Sequence, residues 1–377
     1  MIEELFGNVL NLQWQQVVMW AIGALLIWLA IKKEMEPSLL LPMGFGAILV
    51  NLPMSGAVTQ LIDGVEEIGP IDVLFNAGIA NELFPLLLFV GIGAMIDFTP
   101  LLANPKMMIF GAAAQFGIFF TLCVATLLGF DVKDAASIGI IGAADGPTAI
   151  VVANMFQSNY LGAIVVVAYS YMALVPVVQP FVIRHITTKH ERLIRMSYAD
   201  RPVSKTTRIL FPIVIMIVAG LVAPRSVSLI GFLMFGNLIR ECGVLNSLSE
   251  TAQNVLANLI TIVLGLTVAG QMTADKFVKP DTLLILALGL IAFVFDTAGG
   301  VLFAKLLNLF LPEGKKVNPM IGAAGISAFP MSGRVVNQMG LAEDNQNFLL
   351  MYSISVNVSG QIASVIAGGL ILTLMGM

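Results

Sequence analysis

The stretch IGAADGPTAIVVAN (Ile141–Asn154) recurs in altered form as IGAAGISAFPMSGRVVN (Ile321–Asn337). Each copy places glycine, proline and polar residues inside sequence that is otherwise apolar enough to span a bilayer. Backbone that leaves the helix within lipid must be buried in protein or line an aqueous cavity. Interrupted spans at matching positions in two halves of a chain point to the binding site of a transporter. The pair therefore predicts a membrane protein that moves ions.

The composition excludes a soluble protein. Of the 377 residues, 58% are hydrophobic and 11% are charged, whereas soluble domains carry about 25% charged residues. A span needs about 20 apolar residues, and seven segments are plain candidates: Val17–Ile31, Met107–Leu128, Leu161–Ile183, Ile209–Val222, Leu256–Ala269, Leu283–Phe303 and Phe348–Leu374. Five segments are shorter or broken: Leu39–Leu52, Leu83–Met95, Ile138–Met155, Leu229–Leu238 and Met320–Val336. We predict an all-α polytopic membrane protein with roughly ten to twelve spans, in a core part and a scaffold part.

A basic loop divides the chain. Seven of the 19 Lys and Arg residues lie between Arg184 and Arg208, and loops rich in these residues stay in the cytoplasm. Binding of anionic lipid or of an acidic partner is the alternative use of this charge. We predict a first repeat with an extra N-terminal span (1–183), a cytoplasmic linker (184–208) and a second repeat (209–377). With an odd number of spans in each half, the second repeat is inverted and the broken segments meet near the midplane.

Two weaker pairs of segments also suggest a duplication. LPMGFGAILVN (Leu41–Asn51) resembles LIGFLMFGNL (Leu229–Leu238), and GIGAMIDFTPLLANP (Gly91–Pro105) resembles GLTVAGQMTADKFVKP (Gly265–Pro280). Two apolar segments often resemble each other by chance, so the pair that shares IGAA is the strongest evidence for a duplication.

Asp145 is the first candidate for ion binding. An ionisable side chain inside a span is expensive, and its default interpretation is functional. The glycine and proline that follow it release backbone carbonyls from helical bonding, and hard cations such as Na⁺ take oxygen ligands of this kind. Thr148 lies three residues on and can face the same ion. The alternative is that Asp145 only caps the helix that starts at Pro147.

The second copy offers other polar groups. Asn318 precedes its first proline, Gly322 allows close approach, and Ser327 follows another glycine. Arg334 lies seven residues after Ser327, which is two helical turns, so both are expected to face the same way. A buried guanidinium needs an anion, either a protein carboxylate or the carboxylate of a substrate. The alternative for Arg334 is that its side chain reaches the membrane surface.

Other spans carry further polar side chains. Tyr171 lies in AYSYMALVP, while Asn357 and Ser359 lie in SISVNVSGQIAS. Such groups often join helices by hydrogen bonds. Asp296 either pairs with Arg334 for stability or belongs to an ion pathway, and Asp97 in MIDFTP is expected to cap a helix.

These strings resemble the membrane β subunit of the biotin-dependent, Na⁺-pumping decarboxylases, which serve oxaloacetate, methylmalonyl-CoA, glutaconyl-CoA and malonate. The strings that carry the resemblance are GIGAMIDFTPLLANPK, GAADGPTAI, FDTAGG, NPMIGAAGISAFPMSGRV and NVSGQIAS. They occur in the same order as in the family, and the resemblance extends over nearly the whole chain. The compact N-terminus is more similar to the acyl-CoA members than to the oxaloacetate members.

The resemblance implies roles for seven residues. Asp145, Tyr171, Asn318, Gly322, Ser327 and Asn357 fall at Na⁺-binding positions, and Arg334 falls at a coupling position. For catalysis the implied residues are Arg334, Tyr171 and Asp145. Contact with carboxybiotin is implied for Arg334 and Asn357.

The resemblance also implies partners. A carboxyltransferase α subunit moves CO₂ to biotin on a carrier subunit, and a small membrane subunit completes the complex. The β subunit, expected as a homo-oligomer in the plasma membrane of a prokaryote, decarboxylates carboxybiotin, exports Na⁺ and consumes a proton. The chain lacks a biotinyl-lysine motif, which agrees with a carrier that arrives in trans. Membrane lipid is an expected partner, and nucleic acid is not.

Two other classes of function compete with this one. From the residues alone, a Na⁺-coupled solute symporter or Na⁺/H⁺ antiporter without chemistry fits almost as well. A purely structural membrane anchor fits poorly, because it leaves Asp145 and Arg334 without a purpose.

Overall fold

The computed structural model describes residues 12–62, 64–196 and 202–376. Its regular structure is helical apart from one antiparallel hairpin, β1 (Gln60–Ile62) and β2 (Val65–Glu67), which is the only sheet within those ranges. The helices before the basic loop are α1 (Trp14–Lys33), α2 (Pro37–Val50), α3 (Pro70–Leu74), α4 (Leu83–Met95), α5 (Thr99–Ala103), α6 (Met108–Ala114), α7 (Phe116–Leu127), α8 (Val132–Gly139), α9 (Gly146–Met155) and α10 (Leu161–Ile186). Those within or after it are α11 (Lys189–Arg192), α12 (Lys205–Val222), α13 (Val227–Cys242), α14 (Asn246–Glu250), α15 (Ala257–Ala269), α16 (Ala274–Phe277), α17 (Pro280–Phe310), α18 (Met331–Glu343) and α19 (Leu350–Leu374). The predicted all-α polytopic class is confirmed.

Seven helical segments of the described chain are long and apolar enough to cross a membrane, or eight if the bent pair Pro70–Ile79 and Leu83–Met95 forms one span. The seven coincide with the plain spans predicted from sequence. The shorter predicted segments form the 14-residue helix α2, the second part of the bent pair, the 16-residue helix α13 and the two glycine-rich breaks. α1 and α12 are the least buried of the spans and α19 is the most buried, so α19 lies at the centre of the bundle.

Five helices before the basic loop correspond in order to five helices after it. Helices α1, α2, α4, α5 and α10 are followed in the same order by α12, α13, α15, α16 and α19. A π-helical turn precedes both α4 and α15, at Phe75–Ile79 and at Thr251–Leu256. Such turns are rare and mark an inserted residue, so their matching positions support the duplication independently of the IGAA strings.

The halves interlock through short helices. α2 packs against α15 from the other half, and α13 packs against α4 in the same way. Glycines form both crossings: a Cβ on Gly46 would overlap Ala269, and a Cβ on Gly93 would overlap the backbone of Leu233. Small residues let helices approach closely within a membrane.

Near each of these helix crossings, an asparagine side chain forms hydrogen bonds with backbone groups at the end of a helix. Asn51 donates from Nδ2 to the carbonyl of Met272 over 2.8 Å and accepts at Oδ1 from the N–H of Ala274 over 2.7 Å. Asn237 donates from Nδ2 to the carbonyl of Ile96 over 2.9 Å. Both side chains satisfy backbone groups at a helix end, and each reaches across to the opposite half.

The basic loop is held against the second half. Arg192 pairs with Glu343 and Arg195 pairs with Asp344, each at 2.6 Å. The hydrogen bond from Arg195 is the main cause that lowers the pKa of Asp344 below its usual value, so this pair is charged at neutral pH. Arg201 of the predicted loop lies outside the described residues.

Candidate functional site

The first glycine-rich segment forms a hairpin that enters the bundle and returns to the same side. After α8, residues Ile140–Ala143 form a 3₁₀ turn, Ala144 takes a left-handed conformation with φ of 52°, and α9 leads back. The two ends of the hairpin meet, because Asp134 accepts hydrogen bonds from the hydroxyl of Ser158 at 2.6 Å and from the N–H of Asn159 at 3.2 Å. Helix α10 starts directly beyond this mouth.

The second glycine-rich segment forms a comparable hairpin. It consists of a 3₁₀ segment (Pro319–Gly325), a turn and α18. At its start Asn318 donates to the carbonyls of Arg192 and Ile194 over 2.8 and 2.9 Å. At its end lies Glu343, the salt-bridge partner of Arg192, so both ends contact the basic loop.

The two mouths lie at opposite ends of α10. The first adjoins the start of this helix, and the second contacts the loop that follows its end. A helix of 26 residues is about 39 Å long, which exceeds the hydrocarbon thickness of a bilayer. The hairpins therefore enter the bundle from opposite ends.

The tips of the hairpins touch. The N–H of Ser327 donates to the carbonyl of Ala143 over 2.8 Å. The hydroxyl of Ser327 donates to the carbonyl of Gly360 over 3.2 Å, and Asn357 donates from Nδ2 to the carbonyl of Ile326 over 2.7 Å. Both tips are thus fixed against one side of α19.

Asp145 lies at this junction and is 3% exposed. Its Oδ1 accepts from the N–H of Thr148 over 3.3 Å, so Asp145 does cap α9, as in the alternative to ion binding. Its Oδ2 accepts from Gln361 at 3.1 Å and from the hydroxyl of Ser364 at 2.8 Å, both on α19. These bonds exceed what a cap requires. No Lys, Arg or His of the described chain forms an ion pair with Asp145.

A buried carboxylate without a cation is expensive at membrane depth. Hydrogen bonds from an amide and a hydroxyl stabilise its charge and orient its oxygens, and they bring no positive charge of their own. The arrangement is therefore suited to accept a small cation beside Asp145.

Three carboxamides surround the second tip. Gln179, Gln115 and Asn357 donate to the carbonyls of Ala323, Gly325 and Ile326 at 2.6, 3.3 and 2.7 Å, respectively. These carbonyls lie where the 3₁₀ segment ends and the turn begins, so they lack partners within an α-helix. The side-chain amides donate the hydrogen bonds that lipid could not provide. The amide oxygen of each of these three side chains is buried and accepts no hydrogen bond from the residues that the structure describes. Such oxygens are potential cation ligands.

Sequence reasoning missed several residues of this site: Gln115, Tyr169, Gln179, Gln361 and Ser364. The last two share a helical face with Asn357, since they lie four and seven residues beyond it, and this spacing was a usable signal. The ring of Tyr169 lies against Gly146, next to Asp145, and its hydroxyl is buried without a hydrogen-bond partner among the described residues.

The structure brings together Asp145, Ser327 and Asn357 from the predicted Na⁺ ligands. Tyr171 donates its hydroxyl to the carbonyl of Leu286 on α17. Asn318 lies at the mouth of the second hairpin, and Gly322 lies in backbone contact with Gly300 on α17.

Arg334 differs from expectation in two ways. The helix that carries it begins at Met331, after a turn, so the predicted helical alignment with Ser327 is wrong. Of the two alternatives for Asp296, the pairing with Arg334 is also wrong. Asp296 is fully buried and accepts from the N–H of Ile118 over 3.1 Å at the start of α7, whereas Arg334 is exposed on α18. By contrast, Asp97 caps α5 as predicted, because it accepts from the N–H of Thr99 over 2.8 Å.

Comparison with known protein families covers both hairpins and Asp145. The Na⁺-transporting oxaloacetate decarboxylase beta subunit profile matches residues 15–375. The chain belongs to this family.

The curated relatives of the chain are named as beta subunits of different decarboxylases. The glutaconyl-CoA decarboxylase subunit beta of Acidaminococcus fermentans is 48% identical, over 96% of this chain and 94% of its own. The methylmalonyl-CoA decarboxylase subunit beta of Propionigenium modestum is 45% identical, over 96% and 95%. The oxaloacetate decarboxylase beta chain of Klebsiella pneumoniae is 45% identical, over 95% and 94%.

These alignments differ in length. The alignment with the Klebsiella chain extends over 411 positions, more than the 377 residues of this chain, so it contains segments that this chain lacks. The alignment with the Acidaminococcus chain extends over 363 positions and is almost free of such segments.

Proposed function

We propose that this chain is the membrane subunit that decarboxylates carboxybiotin and couples the reaction to Na⁺ export and proton consumption. The observation that carries this proposal is the contact of two opposed hairpin tips beside the buried Asp145. Membership in the decarboxylase family supplies the chemistry, since an ion site alone does not distinguish a pump from a carrier.

We propose that Na⁺ binds beside Asp145. The carboxylate is already oriented by Gln361 and Ser364, and Na⁺ would provide the charge that this buried group lacks. Ser327 bonds to the carbonyl of Gly360 on α19, and Asn357 of α19 bonds to the carbonyl of Ile326. In the proposed site, the side-chain oxygens of these two residues are further Na⁺ ligands. Tyr171, Asn318 and Gly322 stay predicted ligands whose contacts in this structure lie elsewhere.

Carboxybiotin loses CO₂ when the bond between its ring nitrogen and the carboxylate carbon breaks. The electron pair stays on the nitrogen, which then takes a proton. In the proposed mechanism Arg334 binds the carboxylate with support from Asn357, and Tyr171 or a protonated Asp145 donates the proton. A drier environment favours the step, because charge on the leaving carboxylate is dispersed.

The two halves (1–183 and 209–377), joined by the linker 184–208, act as inverted repeats in this proposal. Alternating access follows if the central helices and hairpins move against the peripheral helices α1, α2, α12 and α13. Loaded and empty forms must then prefer different openings, since a ligand shifts an equilibrium only by its differential affinity for the two states.

Among the possible acids, we propose an acyl-CoA rather than oxaloacetate. The support is the nearly gap-free alignment with the glutaconyl-CoA subunit and the gapped alignment with the oxaloacetate subunit. The partners in the proposed complex are a carboxyltransferase α subunit, a biotin carrier, a small membrane subunit and further copies of this chain.

The rival function is a Na⁺-coupled symporter or Na⁺/H⁺ antiporter without chemistry. Purified protein in liposomes distinguishes them when ²²Na⁺ flux is measured with and without carboxylated biotin carrier. We expect Na⁺ accumulation and CO₂ release only with the carboxylated carrier. Equal Na⁺ exchange without it would establish the carrier function instead.

A further inference from the structure

A cleft opens beside the mouth of the second hairpin, on the face of the basic loop. It has a volume of about 520 Å³, within the range of small-molecule sites. We call it the cationic cleft, and its walls are Ala103–Met107, Arg195, Met196, Gly314–Val317 and Tyr352.

The charge of the cleft has one sign. Lys106, Arg195, Lys315 and Lys316 line it, and none of the other described residues that line it is Asp or Glu. Arg195 is matched by Asp344 at 2.6 Å, and Lys316 lies 3.9 Å from the exposed Glu313.

Two of these cations have no acidic partner among the described residues. Lys106 and Lys315 form no ion pair within the described part of the chain. The amide Nδ2 of Asn104, on the same wall, is buried and has no hydrogen-bond partner there. The free groups of the cleft are therefore hydrogen-bond donors, and two of them are positive, which suits a carboxylate.

The cleft is joined to the ion site through three of its lining residues. Val317 directly precedes Asn318, the first residue of the second hairpin. The carbonyl of Met107 accepts from the hydroxyl of Ser359 on α19 over 3.3 Å. Tyr352 and Gln361 lie nine residues apart on α19, which is about 14 Å along the helix axis. A ligand in the cleft is therefore separated by about two and a half turns of α19 from Gln361, which donates a hydrogen bond to Asp145.

The cleft also has apolar surface. Met107, Met196 and Val317 lie among the donors, together with the ring of Tyr352. The combination of one apolar surface and clustered donors fits a flat ring that bears a carboxylate.

We propose that the cationic cleft binds the N-carboxylated ring of carboxybiotin before decarboxylation, with Lys106, Lys315 and Asn104 as donors to its carboxylate. The proposal rests on the proposed function. It assigns capture of the substrate to residues other than Arg334, which does not line the cleft.

The test uses the purified complex and free carboxybiotin, without the carrier protein, at constant ionic strength. Lys106→Gln combined with Lys315→Gln should raise the KM for free carboxybiotin by about ten-fold and leave kcat within about two-fold, because binding is lost without loss of chemistry. The half-saturating Na⁺ concentration should stay within about two-fold, since exposed charges at this distance are largely screened. Replacement of both lysines by arginine should retain the wild-type KM, which excludes a folding defect as the cause.

The matched control is Lys279→Gln, at the other end of α17 from the cleft, which should leave KM unchanged. An unchanged KM in the double glutamine variant would overturn the proposal. The proposal is also overturned if the double glutamine variant raises the KM only for carboxybiotin on its carrier protein. The cleft would then contact the carrier protein and not the ring. Failure of the proposed function is recognised separately, because the wild-type complex would then show no Na⁺-stimulated decarboxylation.

Discussion

The N–H of Ser327 donates a 2.8 Å hydrogen bond to the carbonyl of Ala143. These residues are the tips of hairpins that enter from opposite ends of α10, so one bond joins the two halves at the centre of the molecule. Neither residue is in a regular α-helix, and both lie next to α19, which supplies Gln361 and Ser364 to Asp145.

Cysteines at Ala143 and Ser327 should form a disulfide on mild oxidation in membranes. Backbone atoms 2.8 Å apart place the two Cα atoms within the range of about 4.4–6.8 Å that disulfides require. The cross-link is measured by gel mobility after cleavage between the two positions, with each single variant as control. Absence of the cross-link would show that the tips do not meet.

Ser364→Ala should raise the half-saturating Na⁺ concentration by about ten-fold and affect the maximal rate less. The hydroxyl of Ser364 orients Oδ2 of Asp145, and a hydrogen bond to a charged group contributes about 1.5–3 kcal/mol. The matched control is Ser355→Ala, because the hydroxyl of Ser355 bonds only to the carbonyl of Met351 within α19. Equal effects of both changes on the Na⁺ dependence would contradict a specific role for Ser364.

Gly322→Ala should destabilise the fold. A Cβ at this position would overlap the carbonyl of Gly300 on α17, and overpacking of this kind costs about 1–3 kcal/mol. We expect a lower Tm in detergent and less folded protein. Gly231→Ala on α13, where a Cβ meets only the sulfur of Met216 at 3.8 Å, should leave Tm unchanged. A normal Tm for Gly322→Ala would show that the hairpin does not approach α17 this closely.

Asp296→Ala should lower Tm and leave the Na⁺ dependence of turnover unchanged. Asp296 accepts from the N–H of Ile118 in the first turn of α7, and loss of such a cap costs about 0.5–2 kcal/mol. Asp296→Asn retains an acceptor and should be milder. A raised half-saturating Na⁺ concentration in both variants would place Asp296 on the ion pathway instead.

The spans and the hairpins were predictable from sequence. Length and hydropathy predict the seven plain spans, because a helix needs about 20 mostly apolar residues to cross a bilayer. The glycine and proline residues around Asp145 and Ser327 mark the tips, because they prevent regular helix at that depth. The same logic found the caps Asp145 and Asp97, whose bonding partners lie within three residues along the chain.

The interhelical partners were not predictable. Asp296 bonds to backbone 178 positions away, and no local pattern indicates that the first turn of α7 lies there. The prediction that Ser327 and Arg334 lie on one face of a helix was wrong. The helix that carries Arg334 begins only at Met331, so Ser327 is not part of it. The family resemblance implied a role for Tyr171, which stays a prediction; the tyrosine next to Gly146 is Tyr169, on a different face of the same helix.

Equilibrium binding of ²²Na⁺ to purified protein tests the central claim most directly. The wild type and Asp97→Asn, whose carboxylate caps α5 away from the tips, should bind Na⁺ with the same affinity. Asp145→Asn keeps the shape of the side chain without its charge and should bind Na⁺ at least about ten-fold more weakly, as expected for loss of a charged ligand. Unchanged Na⁺ affinity in Asp145→Asn would contradict the account.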